Sequence, residues 1–431
     1  MEGSVIHWVG AVIGLVLAIV LIFRKLNPVY ALFAGAIAGG LLGGASIEQT
    51  VQIMIDGTSS VMGAVVRVLA AGVLAGVLID SGAAERIAET IVAKLGEKKA
   101  LFAIALATMI ITAVGVFITV AIIIVAPIAL SVGKKIGLSK TALLLALVGG
   151  GKAGNMISPN PNTIAVAKGF DVDLAQVMIN GFIPAVVGLA VTVIIAKMLS
   201  KKGALVSDTD QADDTEDKKD KPSFGRAMVA PIVAIALLAL NPIGSILNIE
   251  VLKAIKIDSL IILPLAGIIG LLAMGKIKHI IAYTTSGINK MTGTAILLIG
   301  AGAIAGIISK SNLSAVVVDA IEVMGVSGTL LAPIAGILMG AATASTSTGS
   351  IVAAGSFGGA ILNMGIPPLN AAIMVHTGAT VIDHLPHGNF FHVTADAAKM
   401  NIKERMKLIP YESLVGLSMA IVATIIYGFL Q

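Results

Sequence analysis

Four of the six histidines fall between positions 376 and 392: His376, His384, His387 and His392, with Asp383 between them and Asp396 just beyond. Histidine changes charge near neutral pH. Ionisable groups inside an apolar chain mark ion or proton pathways. His376, Asp383, His384 and His387 are therefore the candidate proton-handling group. His392 and Asp396 approach the basic run Lys403 to Lys407 and read as helix-end caps at a cytoplasmic mouth. The His384-x-x-His387 spacing beside Asp383 also permits a metal, but a loop broken by Pro386 and Gly388 is a poor fixed cage. No metal and no cofactor is expected.

A second set of polar residues is chemically different. Gly149 to Asn155 is glycine-rich and holds one cation, Lys152. The chain then continues as Ser158-Pro159-Asn160-Pro161-Asn162. Further on, Thr343 to Gly349 is a run of hydroxyls. Freed backbone groups have no water in lipid, so such interruptions survive only inside protein or around a polar cavity. They expose half-helix N-termini, whose unpaired N–H groups and positive dipole end suit a carboxylate. The candidate substrate contacts are Thr119, Lys152, Asn155, Asn160, Asn162, Ser345, Thr346, Ser347, Thr348 and Asn389. Lys152 either holds a substrate carboxylate or pairs with Asp383. The competing role for any single hydroxyl is to replace a lost backbone bond or help helices pack.

The elements that position these residues are apolar. The 431 residues are 57% hydrophobic and 12% charged, against about 25% charged in soluble domains. Hydrophobic runs near the length of a bilayer crossing recur throughout, so the chain is an all-α polytopic membrane protein. There is no cysteine, which excludes disulfides and thiolate metal sites. The net charge of +5 sits in loops and reports topology, not a nucleic-acid partner. No nucleophile–base constellation or phosphate loop appears, so no enzyme activity is expected.

Placing the basic clusters inside gives ten spans with both termini outside. Residues 1–200 form a first repeat, with an inner hairpin at about 100–133 and a broken helix at about 141–169. Residues 201–224 are a charged cytoplasmic linker. Residues 225–431 form a second repeat, with an outer hairpin at about 330–362 and a broken helix at about 368–395. Laid over each other, the halves pair Ser81 with Ser311, Pro159 with Pro386 and Asn162 with Asn389. Five spans per half require the repeats to be inverted, and paired interruptions of this kind mark a transporter binding site. Arg67 and Asp80, both near the third span, are read as a structural pair.

At these motifs the chain resembles the gluconate permease (GntP) family of the ion transporter superfamily. The resemblance rests on Ile128 to Ala167, with Ser158-Pro159-Asn160-Pro161-Asn162, and on Ala344 to Phe391. It extends to the turn from Ser81 to Ala88. It implies a cell (inner) membrane protein that takes up a small hydroxylated acid, usually with protons, sodium being the other coupling ion. It further implies a homodimer whose hairpins and broken helices move against a scaffold of the other spans. The family's histidine after proline is Asn160 here, and the second break reads Asp383-His384-Leu385-Pro386-His387. Both departures fall on the residues that would set substrate and coupling ion. A cation/proton antiporter and a di- or tricarboxylate carrier are the alternatives on the same architecture.

Overall fold

The computed structural model describes residues 6–207, 210, 221–255, 257–324 and 327–430. Among them the chain is helical, with no strand beyond isolated bridges. The first half runs α1 (Trp8–Phe23), α2 (Pro28–Leu42), α3 (Ile47–Asp80), α4 (Ala83–Leu95), α5 (Ala100–Ala113), α6 (Ile118–Ile136), α7 (Lys140–Met156), α8 (Pro161–Gly169), α9 (Leu174–Asn180) and α10 (Phe182–Leu199). The second half runs α11 (Phe224–Ala227), α12 (Val229–Leu247), α13 (Glu250–Ala254), α14 (Ser259–Met274), α15 (Ile280–Ser309) and α16 (Leu313–Met324). It continues through α17 (Leu331–Thr343), α18 (Thr346–Asn363), α19 (Pro368–Ala379), α20 (Asn389–Ala397), α21 (Ile402–Met406) and α22 (Ile409–Thr424).

Six helical stretches among the described residues are long and apolar enough to cross a membrane. Helices α1, α2 and α14 have 16, 15 and 16 residues. At about 1.5 Å per residue each covers roughly 24 Å, less than a hydrocarbon core of about 30 Å. The longest helices exceed the runs that hydropathy picks out. Helix α3 begins at Ile47, well before its apolar stretch, because Ser46 and Gln49 form a reciprocal capping box. Its polar first turns, with Glu48, Gln49 and Gln52, carry the helix out of the apolar window. Helix α15 likewise starts at Ile280, ahead of its apolar segment.

Helices α3 and α15 pack along each other and form one body with α1, α2 and α14. Little hydrophobic force separates helix from lipid, so close approach supplies the attraction. A Cβ on Gly76 would lie 2.3 Å from the Tyr283 carbonyl oxygen, so only glycine permits this crossing.

The second body holds two similar units. Helices α5 and α6 form a hairpin, and α5 packs on α7 so tightly that a Cβ on Gly150 would meet the Ala105 oxygen at 2.1 Å. Helices α17 and α18 form another hairpin, and α17 packs on α19 in the same way. There Gly340 lies against Ala379, with 2.5 Å left for a Cβ. Helices α7 and α8 are two halves separated by a break, as are α19 and α20.

One sequence expectation changes. Arg67 pairs with Asp258 at 2.5 Å, and Asp80 pairs with Lys290 at 3.2 Å, so they are not partners. Both true partners lie on helices remote in sequence. The acidic run of the linker, Asp208 and Asp213 to Asp217, lies outside the described residues. Its flanks do pack. Val206 is buried, Lys140 holds Asp210 at 2.6 Å, and Lys221 meets Glu85 and Glu89 at 2.5 and 2.7 Å. Burial alone would raise the Asp210 carboxyl, but the bonds from Lys140 and Ser207 hold it below the ordinary carboxylate value. Lys140 Nζ also donates to the Lys399 carbonyl at 2.9 Å, which joins the start of α7 to the chain just after α20.

Candidate functional site

The first break forms because Pro159 and Pro161 bracket Asn160. Proline supplies no N–H and pushes the preceding residue out of helical geometry. Asn160 then caps α8, its Oδ1 accepting from Asn162 N at 2.9 Å and Thr163 N at 3.2 Å, with Pro161 at the first helical position. The same side chain reaches back, Nδ2 donating to Asn155 Oδ1 at 2.8 Å. Thr163 Oγ1 donates to the Asn155 carbonyl at 3.2 Å. Ser158 Oγ donates to the Thr112 carbonyl at 2.6 Å, which ties the break to the end of α5. All these groups are buried, and each finds a partner within the protein.

The second break is longer, Thr380 to Gly388, and it carries charge. Lys152 Nζ, from α7, donates to the Thr380 carbonyl at 2.5 Å and to Asp383 Oδ1 at 2.6 Å. Of the two roles open to Lys152, the structure holds the pair with Asp383. His384 Nδ1 lies 3.0 Å from both the lysine and Asp383 Oδ1. His384 Nε2 lies 3.0 Å from the Ile409 carbonyl. A carbonyl only accepts, so that contact places a proton on Nε2. Nδ1 is then free either to accept from Lys152 or, when protonated, to donate to Asp383.

Behind His384 lies a second ion pair. Arg405 binds Glu412 through two bonds, 2.7 and 2.9 Å, and both side chains are fully buried. Arg405 Nε donates to Thr394 Oγ1 at 3.2 Å, and its guanidinium lies 4.9 Å from the centre of the Phe391 ring. Glu412 Oε2 is 3.8 Å from His384 Nε2. Two lysine or arginine charges thus face two carboxylates, with His384 between the pairs. Buried pairs persist only when geometry and extra hydrogen bonds offset desolvation.

A cavity of about 560 Å³ opens beside Asp383. Its walls come from the α17–α18 tip (Thr343 to Thr348), the second break (Asp383 and Pro386 to Phe390), the α5–α6 tip (Phe117 to Thr119), Asn162, and the α1–α2 connection. Five helices, α2, α6, α8, α18 and α20, turn their N-terminal residues into it. Two of these ends, α6 and α20, have no side chain capping them. The tip also ties the two breaks together. Thr346 Oγ1 donates to Asp383 Oδ2, and Ser347 Oγ donates to Asn162 Oδ1.

The structure divides the sequence-derived site residues into two groups. Thr119, Asn162, Ser345, Thr346, Ser347, Thr348, Asp383, His387 and Asn389 line the cavity. Lys152, Asn155, Asn160, His376 and His384 are buried and do not line it. His376, on α19, is buried with no partner for Nε2. Sequence reasoning passed over Arg405, which sits in a basic run read only for topology. It also passed over Glu412, although an acid four residues into an apolar helix is a visible signal. Two further cavities, about 540 and 510 Å³, lie toward the far end of α8, where Asp171 contributes to both. Neither includes a tip hydroxyl or a residue of the second break.

Comparison with known proteins settles the family. The model of the GntP family permease matches residues 5–430. The chain belongs to the GntP permease family. Within it, the chain is 52% identical over 420 residues to an uncharacterized transporter of Haemophilus influenzae, covering 97% of this chain and 98% of that one. It is 24% identical over 450 residues to a high-affinity gluconate transporter of Escherichia coli, covering 98% and 99%. A gluconate permease of Bacillus licheniformis is 24% identical over 410 residues, covering 88% and 90%. Among solved structures, the YdaH transporter of Alcanivorax borkumensis superposes with a TM-score of 0.67 at 16% identity, covering 87% of each chain. That likeness shows the fold. Membership makes this a multi-pass membrane permease and not an enzyme.

Proposed function

We propose that the protein is a secondary active transporter taking up a small hydroxylated carboxylate, a gluconate-like sugar acid, together with protons. The convergence of five helix N-termini on one hydroxyl-lined cavity carries this reading. First-turn N–H groups at the uncapped ends of α6 and α20 favour an anion. Hydroxyls of Ser345 and Thr348 and the amide of Asn389 suit the hydroxyls of a sugar acid. The gluconate transporters among its relatives support that substrate class.

Coupling is assigned to the second break. Protonation of His384 Nδ1 converts it from an acceptor for Lys152 into a donor to Asp383. Asp383 also accepts from Thr346 at the cavity wall, so the proton state of His384 reaches the binding surface through one carboxylate. His376 and His387 stand nearby on the same segment as further proton-handling groups. Because Lys152 already neutralises Asp383, the geometry disfavours a cation antiporter that would need that carboxylate free. One fixed lysine committed to a protein carboxylate also argues against a di- or tricarboxylate.

The body of hairpins and breaks would move against the α3–α15 scaffold in an elevator motion. The two halves would be inverted repeats within ten spans, each hairpin re-entering from its own side, in a homodimer. With basic clusters on the cytoplasmic side of the inner membrane and both termini outside, the cavity beside Lys25 opens inward.

Uptake of radiolabelled gluconate into proteoliposomes, with and without an inward proton gradient, tests the proposal. Gradient-stimulated accumulation is expected. Uptake indifferent to the proton gradient, or driven by sodium alone, would overturn the coupling assignment.

A further inference from the structure

We propose that Lys25, on the connection between α1 and α2, is the cationic anchor for the substrate carboxylate. The inference rests on the carboxylate-transport reading above and names the residue that would select for it. Lys25 and Asn27 reach the same cavity that the second hairpin tip and the second break line. The cavity wall has one carboxylate, Asp383, and it is already neutralised by Lys152. Lys25 is the one lysine or arginine on that wall, and among the described residues no carboxylate pairs with it. The histidines of the wall hold carbonyls instead, His387 Nε2 that of Ala342 at 3.3 Å and His392 Nε2 that of Pro386 at 2.8 Å. The unbalanced positive charge of the site is therefore that of Lys25.

The backbone at Lys25 is unusual as well, a geometry shared with Lys399 and Asp171 outside the cavity. Helix α1 ends with Lys25 N donating to the Ile22 carbonyl at 2.8 Å and Leu26 N to the Leu21 carbonyl at 3.0 Å. In this helix-ending motif the residue at Lys25 adopts left-handed geometry, for which glycine is the usual choice. Lys25 has φ 65°, whereas α5, α6 and α18 are each followed by a positive-φ glycine, Gly115, Gly137 and Gly365. Ala344, one of the few other non-glycine residues with positive φ, lines the same cavity. Backbone held in sparsely populated geometry concentrates at ligand sites.

Neighbours hold the connection in place. Asn27 caps α2 by accepting from Val29 N at 3.0 Å, Pro28 opens that helix, and the Phe23 ring lies 4.3 Å from the His387 ring. Lys25 is thus delivered by the α1–α2 pair, while the hydroxyls and amides come from the hairpins and breaks. A ligand held by both would bridge the two bodies. The contact is made in this arrangement and lost when one body moves away.

The test compares K25Q, K25G and K25R with R24Q, which removes an adjacent charge that does not line the cavity. Gluconate transport by proteoliposomes is measured as a function of concentration, and thermal stability is followed alongside. Loss of a charge-assisted contact should raise the half-saturation concentration of K25Q and K25G about tenfold or more. The maximal rate should change far less. K25R should stay close to the parent, and R24Q should match it. K25G should unfold at a higher temperature than the parent without ligand, because glycine relieves the left-handed backbone. Parent transport of gluconate with an unchanged half-saturation in K25Q would overturn this inference alone. If the parent neither transports nor is thermally stabilised by gluconate or any other monocarboxylate in a panel, both this inference and the proposed function fall.

Discussion

The two helix breaks do the same thing to the backbone by opposite chemistry. At the first, Asn155, Ser158, Asn160 and Thr163 use neutral side chains to satisfy each other and the freed carbonyls. At the second, a carboxylate, a histidine and an incoming lysine take that place, and a buried Arg405–Glu412 pair backs them. The first break sends only Asn162 to the cavity, whereas the second sends Asp383, His387 and Asn389. A neutral network has one hydrogen-bond arrangement. A network containing His384 has two, which differ by one proton. On this reading the first break is a fixed floor and the second is the part that responds.

The comparison is broken most severely by removing one buried charge. Asp383→Asn leaves the fully buried Lys152 without its counter-ion. The expected cost is about 3–5 kcal/mol of stability, seen as a large fall in unfolding temperature in detergent, with transport lost. The double variant Lys152→Met with Asp383→Asn should recover much of that stability without recovering coupling. A double variant no more stable than Asp383→Asn would show that the pair is not what holds the breaks together.

Glu412→Gln should come next. It uncovers Arg405 and removes the carboxylate nearest His384 Nε2, so stability should fall by roughly 2–4 kcal/mol. The pH profile of uptake should change, because the carboxylate 3.8 Å from His384 Nε2 is gone. An unchanged pH profile in a folded variant would separate Arg405–Glu412 from coupling.

At the first break the effects should be smaller and should leave proton handling untouched. Asn160→Ala removes a helix cap, for about 1 kcal/mol, and the acceptor shared by Asn162 and Thr163. The substrate half-saturation should rise modestly through Asn162, with the pH profile unmoved. A shifted pH profile would mean that the neutral break also handles protons.

The smallest effect should come from Asp210→Asn, at the clamp between the start of α7 and the chain after α20. Its carboxyl is held below its unfolded value. It therefore contributes stability above the unfolded value, and the contribution fades as pH falls through the folded one. The variant should lose up to about 1 kcal/mol near pH 7 and converge with the parent in strong acid, which unfolding temperature against pH reads out.

Much of this was legible because lipid leaves so few reasons for Pro, Asn, Lys or Asp inside an apolar run. The segments 141–169 and 368–395 stand out for that reason, and so do the hydroxyls from Thr343 to Thr348. Partner identity was less legible. Lys152 had two partners open to it on sequence alone, and its pairing depends on how α7 meets the segment after α19. Arg67 and Asp80 share one helix, yet their partners are remote in sequence, Asp258 at the start of α14 and Lys290 within α15. The polar starts of α3 and α15 were invisible to an apolar window, and at α3 the capping box of Ser46 and Gln49, not hydropathy, sets where the helix begins. Lys25 and Arg405 were read as topological charge, since a basic residue at a span's end carries no sequence mark of the cavity or ion pair it joins.

The central claim is that protons are handled at His384 while the tips and helix ends bind the anion. The most direct measurement is proton movement on adding gluconate to proteoliposomes carrying the parent or His384→Gln, alongside gluconate exchange at equal concentrations on both sides. The parent should move protons with gluconate. His384→Gln should still exchange gluconate but move no protons with it. A His384→Gln protein that moves protons with gluconate as the parent does would contradict the claim.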